Sequence, residues 1–406
     1  MTIRAAAERV CLTPDYRPFY LTGYNSPLRK LPAQGVHDDI YAQISLIDVN
    51  GIYFYLFSTD WISVEEGFYE EVSTKLNQKY GIDKNHVFIT ATHNHQSVGD
   101  QMRKDPHFNQ EYYDKIVSIA ADNYEKCLKK LEETQVFFGK RTVVGYYGSR
   151  VLKDSLADND IYLLEFRNDK DEVVTAICNW ATHSTAITPE NALLTGEFAQ
   201  NTCKEYQKLK GYYPHMIVGA AGDSSTRPTR QGNDFNELER ISKGVAAEMA
   251  KIEVDQKLNL EYRGMKTITH DVYAKVDHDD VQKKIDDSLK ELETATDFDR
   301  IKVLKSMQPA LRKLQEKDEV EAHWFAHAID LNDLEIIVTP AELASPFGFE
   351  IKDASQAKCC LIFGYCNGKA GYLFPEDLYG LTFETISSGI PPKEVRTYID
   401  KILSIV

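Results

Sequence analysis

The sequence predicts an α/β fold, on three observations. Short apolar or alternating runs recur along the chain, and several are separated by stretches with helical period. No internal repeat or low-complexity linker interrupts that alternation. A length of 406 residues, 43% of them hydrophobic and 27% charged, supplies a large core in one large or two medium domains.

The strand-like runs, in chain order, are residues 42–49, 52–58, 87–90, 161–166, 173–178, 215–219, 334–339 and 360–365. Each is short and apolar or alternating, as a strand buried on one or both faces requires. Helical patterns occupy residues 64–80, 110–131, 197–210 and 236–252. Residues 279–321 are charge-rich and helical in period, with a break near Thr296 to Phe298. They read as a solvated helical hairpin inserted in the fold, the alternative being a lid or an oligomer contact. His323 and His327 follow as an i, i+4 pair on a helix or its end. Trp324 stands where the glutamate of an HExxH motif would be, so the pair reads as structural.

A net charge of −15 disfavours nucleic-acid binding, which needs clustered Lys and Arg against phosphate. Residues 1–14 carry Arg4 and Arg9 but no apolar signal core, and no stretch approaches the length of a transmembrane segment. The seven cysteines (Cys11, Cys127, Cys178, Cys203, Cys359, Cys360 and Cys366) are odd in number and lack metal-binding spacing. Cys359 and Cys360 are expected to be buried thiols, and a reduced, cytoplasmic setting is expected.

Chemistry gathers at the strand ends. Residues 87–90 lead into His93 and His95, and 173–178 into His183. Alternate residues of an extended segment point the same way, so His93 and His95 can share a pocket. Residues 215–219 lead into Gly222-Asp223-Ser224-Ser225, 334–339 into Ala341-Glu342, and 360–365 into Gly371-Tyr372. In open α/β sheets ligands bind just outside the carboxyl ends of strands, which gives these segments a physical reason to converge. Imidazoles arriving from separate strands are the raw material of a metal site.

This ordered set resembles the catalytic domain of the neutral/alkaline (non-lysosomal) ceramidase family, whose members hydrolyse the amide bond of N-acylsphingosines with zinc. The resemblance runs from about residue 10 to the C-terminus. It is carried by residues 35–42 (Gly-Val-His-Asp-Asp-Ile-Tyr-Ala), Thr92 to His95, His183-Ser184-Thr185, Gly222 to Ser225, Ala341-Glu342-Leu343 and Gly371-Tyr372-Leu373. It implies one mixed-sheet multilayer catalytic domain over residues 1–406, with residues 279–321 as a helical insertion and no C-terminal β-sandwich domain. It implies Zn²⁺ held by His93, His183, Glu342 and Tyr372, a donor set of nitrogen and oxygen that suits this ion. The implied reaction is attack of metal-activated water on the scissile carbonyl.

His95 is implied beside the substrate, for acid/base work or for binding the oxyanion. Arg150, in Gly148-Ser149-Arg150, stands where the family has a substrate-contacting arginine; a surface arginine is the other reading. Ser225 matches a serine considered as a nucleophile, although Gly-Asp-Ser-Ser equally suits a strand-to-helix cap. Asp223 and Asp60 are candidates to orient a metal-bound imidazole.

The sequence also departs from the family. Gln96-Ser97-Val98-Gly99 replaces Ser-Gly-Pro, and Phe383-Glu384 stands where a second tyrosine is expected. Metal-dependent amide hydrolysis is therefore expected more firmly than a ceramide substrate, and a smaller, soluble N-acyl amide fits as well. No oligomeric state is implied. Two rivals remain open: a metal-dependent phosphoesterase or esterase built on His93, His95, Asp60 and His183, and a non-catalytic ligand-binding protein on the same scaffold.

Overall fold

The computed structural model describes residues 2–24, 26–151, 157–380 and 382–406. Its largest sheet has nine strands. The path runs His215–Val218, Val173–Trp180, Asp160–Arg167, Glu132–Thr142, Ile3–Cys11, Tyr41–Val49, Ile52–Thr59 and Val87–Ala91, with Gln256–Leu258 beside Glu132–Thr142. Most neighbours are antiparallel, but the pairs at both ends are parallel. The sheet folds back on itself. Ser45 Oγ and Thr175 Oγ1 meet at 2.7 Å from strands four places apart in the order, and Ser58 Oγ donates to the Met216 carbonyl at 2.8 Å from strands six apart. That curvature brings the ends of Val87–Ala91 and Val173–Trp180 to one place.

A four-stranded sheet of Leu260–Lys275, Glu319–Asn332, Leu334–Val338 and Cys359–Phe363 covers the inner face. The alternation in Ile52–Thr59 records this sandwich. Phe54 and Leu56 pack with Ile336, Leu361 and Phe363 between the sheets, whereas Tyr55 and Phe57 face a second core under helices Glu66–Tyr80 and Gln110–Lys130. With both faces buried, the strand reads as continuously apolar. Helices Glu197–Lys210 and Phe235–Met249 cover another part of the large sheet, and Pro392–Leu403 backs the smaller one.

Asn367 ties the two sheets together. Its side chain accepts from Ile89 N–H at 2.7 Å and donates to the Val87 carbonyl at 2.9 Å, so one amide pairs the outer edge of Val87–Ala91 as a strand residue would.

The charge-rich region holds helices His278–Thr294 and Phe298–Gln315, inserted between the long paired strands Leu260–Lys275 and Glu319–Asn332. Helical structure ends at Gln315, and residues 319–321 are already strand. His323 and His327 accordingly lie on a strand, correcting the helical expectation. His323 Nδ1 is 2.9 Å from Asp271 and His327 Nδ1 is 2.9 Å from Thr267, cross-strand contacts that account for both rings. Cys11 is exposed and the other six cysteines are buried, all as free thiols. Among the described residues no helix is long and apolar enough to cross a membrane.

Candidate active site

Both buried imidazoles arrive from strand ends that the backbone continues to hold. Past Val87–Ala91, Thr92 N–H bonds the Thr59 carbonyl and Asn94 N–H the Trp61 carbonyl, each at 2.9 Å. His93, between them, adopts φ of 56°, a left-handed backbone disfavoured for a residue with a Cβ and common where function constrains a chain. Past Val173–Trp180, His183 N–H bonds the Ser224 carbonyl at 3.2 Å, and a parallel bridge joins Asn94 to Ser184.

The two rings are oriented alike. His93 Nδ1 lies 2.7 Å from the Ile62 carbonyl and His183 Nδ1 lies 2.9 Å from the Ala221 carbonyl. A carbonyl only accepts, so each Nδ1 carries the proton and each neutral ring keeps its lone pair on Nε2. Burial pushes the pKa of both rings well below the usual imidazole value. The charge of Arg150 presses the same way on His183, whereas that of Glu342 opposes burial on His93 without overcoming it.

Glu342 and Tyr372 come from the short parallel pair Ala341–Leu343 and Gly371–Leu373, where they are direct partners in register and so share a face. Glu342 Oε2 stands 3.4 Å from His93 Nε2 and 3.5 Å from His183 Nε2, and Tyr372 Oη is 3.0 Å from His183 Nε2. The Glu342 strand is pressed against the chain that follows His215–Val218. Gly222 N–H bonds the Leu343 carbonyl at 2.7 Å, and a Cβ on Gly222 would lie 2.5 Å from the Glu342 carbonyl oxygen. Only glycine permits that approach.

A metal ion fits this donor set. Glu342 Oε2 is buried without a hydrogen-bond donor and faces the Nε2 lone pairs of two imidazoles, an arrangement that a cation stabilises. Ligands about 2.1 Å from a tetrahedral ion lie about 3.4 Å from one another, the spacing found here. His95 Nε2 is 3.0 Å from His93 Nε2, and the ligand atoms of His93, His95 and His183 all lie within 4.8 Å of one another. His95 is less buried than the other two imidazoles: it lines a cleft with Tyr24, Arg150, Ser225 and Tyr372, a lining that does not include His93, His183 or Glu342. Burial brings the His95 pKa down to about 4.

Arg150 is buried against the centre. Its Nη2 donates to the Gly222 carbonyl at 2.9 Å and lies 3.1 Å from His183 Nε2 and 3.3 Å from Tyr372 Oη. Its Nε is 2.9 Å from Glu384 Oε1. The residue standing in place of a second tyrosine is thus the counter-ion of Arg150.

Two carboxylates are occupied elsewhere, which corrects the expectation that they orient an imidazole. Asp223 Oδ1 accepts from Ser345 N–H and Ser345 Oγ, each at 2.7 Å, and fixes the start of helix Ser345–Ala354 just after Glu342. Asp60 Oδ2 accepts from Tyr41 N–H at 2.8 Å and Gln200 Nε2 at 2.9 Å. Backbone carbonyls, those of Ile62 and Ala221, hold the imidazoles instead. Ser225 Oγ accepts from Arg227 N–H at 3.2 Å, and no imidazole among the described residues is hydrogen-bonded to it.

Sequence reading missed Tyr365 and the role of Glu384. The Tyr365 ring centroid is 4.5 Å from that of His93, and its hydroxyl is buried without a partner. A phenol closing an otherwise apolar strand run was the available signal.

No protein-family model matches the sequence, and no curated protein matches it. Solved structures do. A ceramidase complexed with C2 aligns with a TM-score of 0.75 at 15% identity, covering 100% of this chain and 75% of that one. The chain has the neutral ceramidase fold. Neutral ceramidase from Pseudomonas aeruginosa aligns with a TM-score of 0.73 at 18% identity, covering 100% of this chain and 74% of the other. The mixed α/β architecture expected from the sequence is that of these ceramidases.

Proposed function

We propose that the chain is a zinc-dependent hydrolase cleaving the amide bond of an N-acyl compound, a ceramide or a smaller N-acyl amide, within one catalytic domain. The observation that carries this reading is the meeting of His93, His183, Glu342 and Tyr372, with Glu342 Oε2 left bare between two nitrogen lone pairs. The neutral ceramidase fold supports the same reaction class.

These four residues would hold the ion, which when bound supplies Lewis acidity for the scissile carbonyl and a lowered pKa for water. The protein supplies the rest. The Ile62 and Ala221 carbonyls lock the two rings with the Nε2 lone pair turned toward Glu342. His95, neutral near pH 7 and facing the cleft, takes a proton from the attacking water and returns it to the leaving nitrogen. Arg150, fixed by Glu384 and the Gly222 carbonyl, directs its guanidinium at negative charge developing on the carbonyl oxygen. The guanidinium also contacts His183 Nε2, so ion binding requires that contact to yield.

A phosphoesterase using Asp60 is disfavoured by that carboxylate's engagement with Tyr41 and Gln200. The test is a panel running from short-chain N-acylsphingosines to N-acyl amino acids, scored for released amine. Hydrolysis should vanish after chelation and return with zinc. Phosphate release from phosphomonoesters, with no amine from any amide, would overturn the assignment.

A further inference from the structure

We propose that Tyr365 is a positioning residue of the centre: its hydroxyl donates to the Glu342 carboxylate and holds it in the orientation that meets the ion. This rests on the metal-dependent hydrolase reading and extends it to a residue outside the four ligands. Tyr365 stands just past strand Cys359–Phe363, with a left-handed backbone of φ 53° that bulky residues disfavour. Its neighbours pin that conformation. Gly364 N–H bonds the Val218 carbonyl at 2.9 Å, Cys366 N–H the Thr339 carbonyl at 3.1 Å, and Asn367 N–H the Ile89 carbonyl at 2.8 Å. A Cβ on Gly364 would lie 2.7 Å from the Gly219 carbonyl oxygen, so the chain is held close against the end of His215–Val218. The Tyr365 ring is thereby set against the imidazoles, its centroid 4.5 Å from that of His93 and 6.3 Å from that of His183.

Packing alone does not account for the hydroxyl. It is buried without a partner, a penalty that phenylalanine of nearly the same shape would avoid. Glu342 Oε2, beside the same two imidazoles, is also buried without a hydrogen bond. A phenol donates and an ionised carboxylate only accepts, so the two groups are complementary. The charge of Glu342 acts on the Tyr365 hydroxyl ahead of those of Tyr372 and Arg150. A carboxylate oxygen has two lone pairs, so Oε2 can meet an ion with one and accept from Tyr365 with the other. Carboxylates that hold metals are themselves hydrogen-bonded, and losing such a partner weakens metal binding. Tyr365 is not among the residues that line the cleft, so its influence falls on the ion rather than on the substrate.

The test uses Tyr365→Phe, which removes the hydroxyl alone, and reads zinc affinity by competition with a chelator. We expect a loss of roughly 10–100-fold, with the urea midpoint of the metal-free variant no lower than that of wild type. The visible absorption of the cobalt-loaded variant should also differ from that of cobalt-loaded wild type. The effect should pass through the carboxylate. In a Glu342→Ala background, where the imidazoles keep weak affinity, Tyr365→Phe should change zinc binding by less than about two-fold. Unchanged affinity in Tyr365→Phe, or an equal loss in both backgrounds, overturns the inference and leaves the hydrolase reading standing. So does a drop in metal-free stability with affinity intact, the mark of a hydroxyl satisfied by internal water. A wild type that takes up no zinc removes the metal-dependent reading and the inference with it. Should Tyr365→Phe not fold, fluorotyrosine at position 365 decides. Saturating zinc should shift its fluorine resonance in the wild-type background and not with Glu342→Ala, and equal shifts in the two overturn the proposal.

Discussion

Arg150 Nε lies 2.9 Å from Glu384 Oε1, and the two side chains are only 7% and 3% exposed. Burial alone would push the arginine pKa down; Glu384 and the Tyr372 phenol outweigh it and raise it. A buried charge losing its partner is strongly destabilising, by about 3–5 kcal/mol, whereas replacing both partners costs far less. Glu384→Gln should lose stability on that scale in urea unfolding, and Arg150→Met/Glu384→Gln should lose less than the sum of the single variants. Additive losses would mean that the pair is not coupled.

His95 and Ser225 separate two mechanisms. If His95 moves the proton, His95→Ala should retain bound metal and lose roughly 10²–10⁴-fold in kcat. Ser225→Ala should lose less than about ten-fold, because no base is bonded to its hydroxyl. A Ser225→Ala loss matching that of His95→Ala would make the serine the nucleophile.

Two buried carboxylates set a pH dependence of stability. Burial raises Glu197 from 4.5 to about 7 and Asp60 from 3.8 to about 6, against the opposing hydrogen bonds each accepts. Both folded pKa values exceed their unfolded ones, so the native state holds the extra protons and stability falls as pH rises, between about 4 and 7. The loss is on the order of 3 kcal/mol for each group. Urea unfolding should show a shallower decline for Glu197→Gln than for wild type from pH 5 to 8. Parallel curves would remove Glu197 from the account.

Gly222→Ala tests the positioning of Glu342. A Cβ there would come within 2.5 Å of the Glu342 carbonyl oxygen, so that strand must shift. Zinc affinity should fall by more than about ten-fold, as measured by competition with a chelator. Unchanged affinity would show that Glu342 does not depend on this contact.

How much was legible in the sequence follows from what each residue faces. The strands ending in His93 and His183 are buried on both sides, so their apolar runs stood out and fixed the imidazoles at strand ends. Glu342 and Tyr372 meet through a three-residue strand pair that has no periodic signal, and only the ordered motifs pointed to them. Ile3–Cys11 (IRAAAERVC) lies mid-sheet but is rich in alanine and charge, so it lacked the pattern of a strand. Leu260–Lys275 alternates buried Val272 and Ala274 with exposed Tyr273, Glu319–Asn332 begins with buried Val320 between exposed Glu319 and Glu321, and these charged outer faces hid both strands beside the helical insertion. Nothing local linked Arg150 to Glu384, because their contact exists only after the chain has folded.

The most direct test of the central claim is metal content measured beside fold. Wild type purified with zinc should hold one ion per chain by elemental analysis, and His183→Ala and Glu342→Gln should lose it while keeping the wild-type circular dichroism spectrum. Zinc retained stoichiometrically in both variants, or absent from a wild type that still hydrolyses amides, would contradict a centre built on His93, His183, Glu342 and Tyr372.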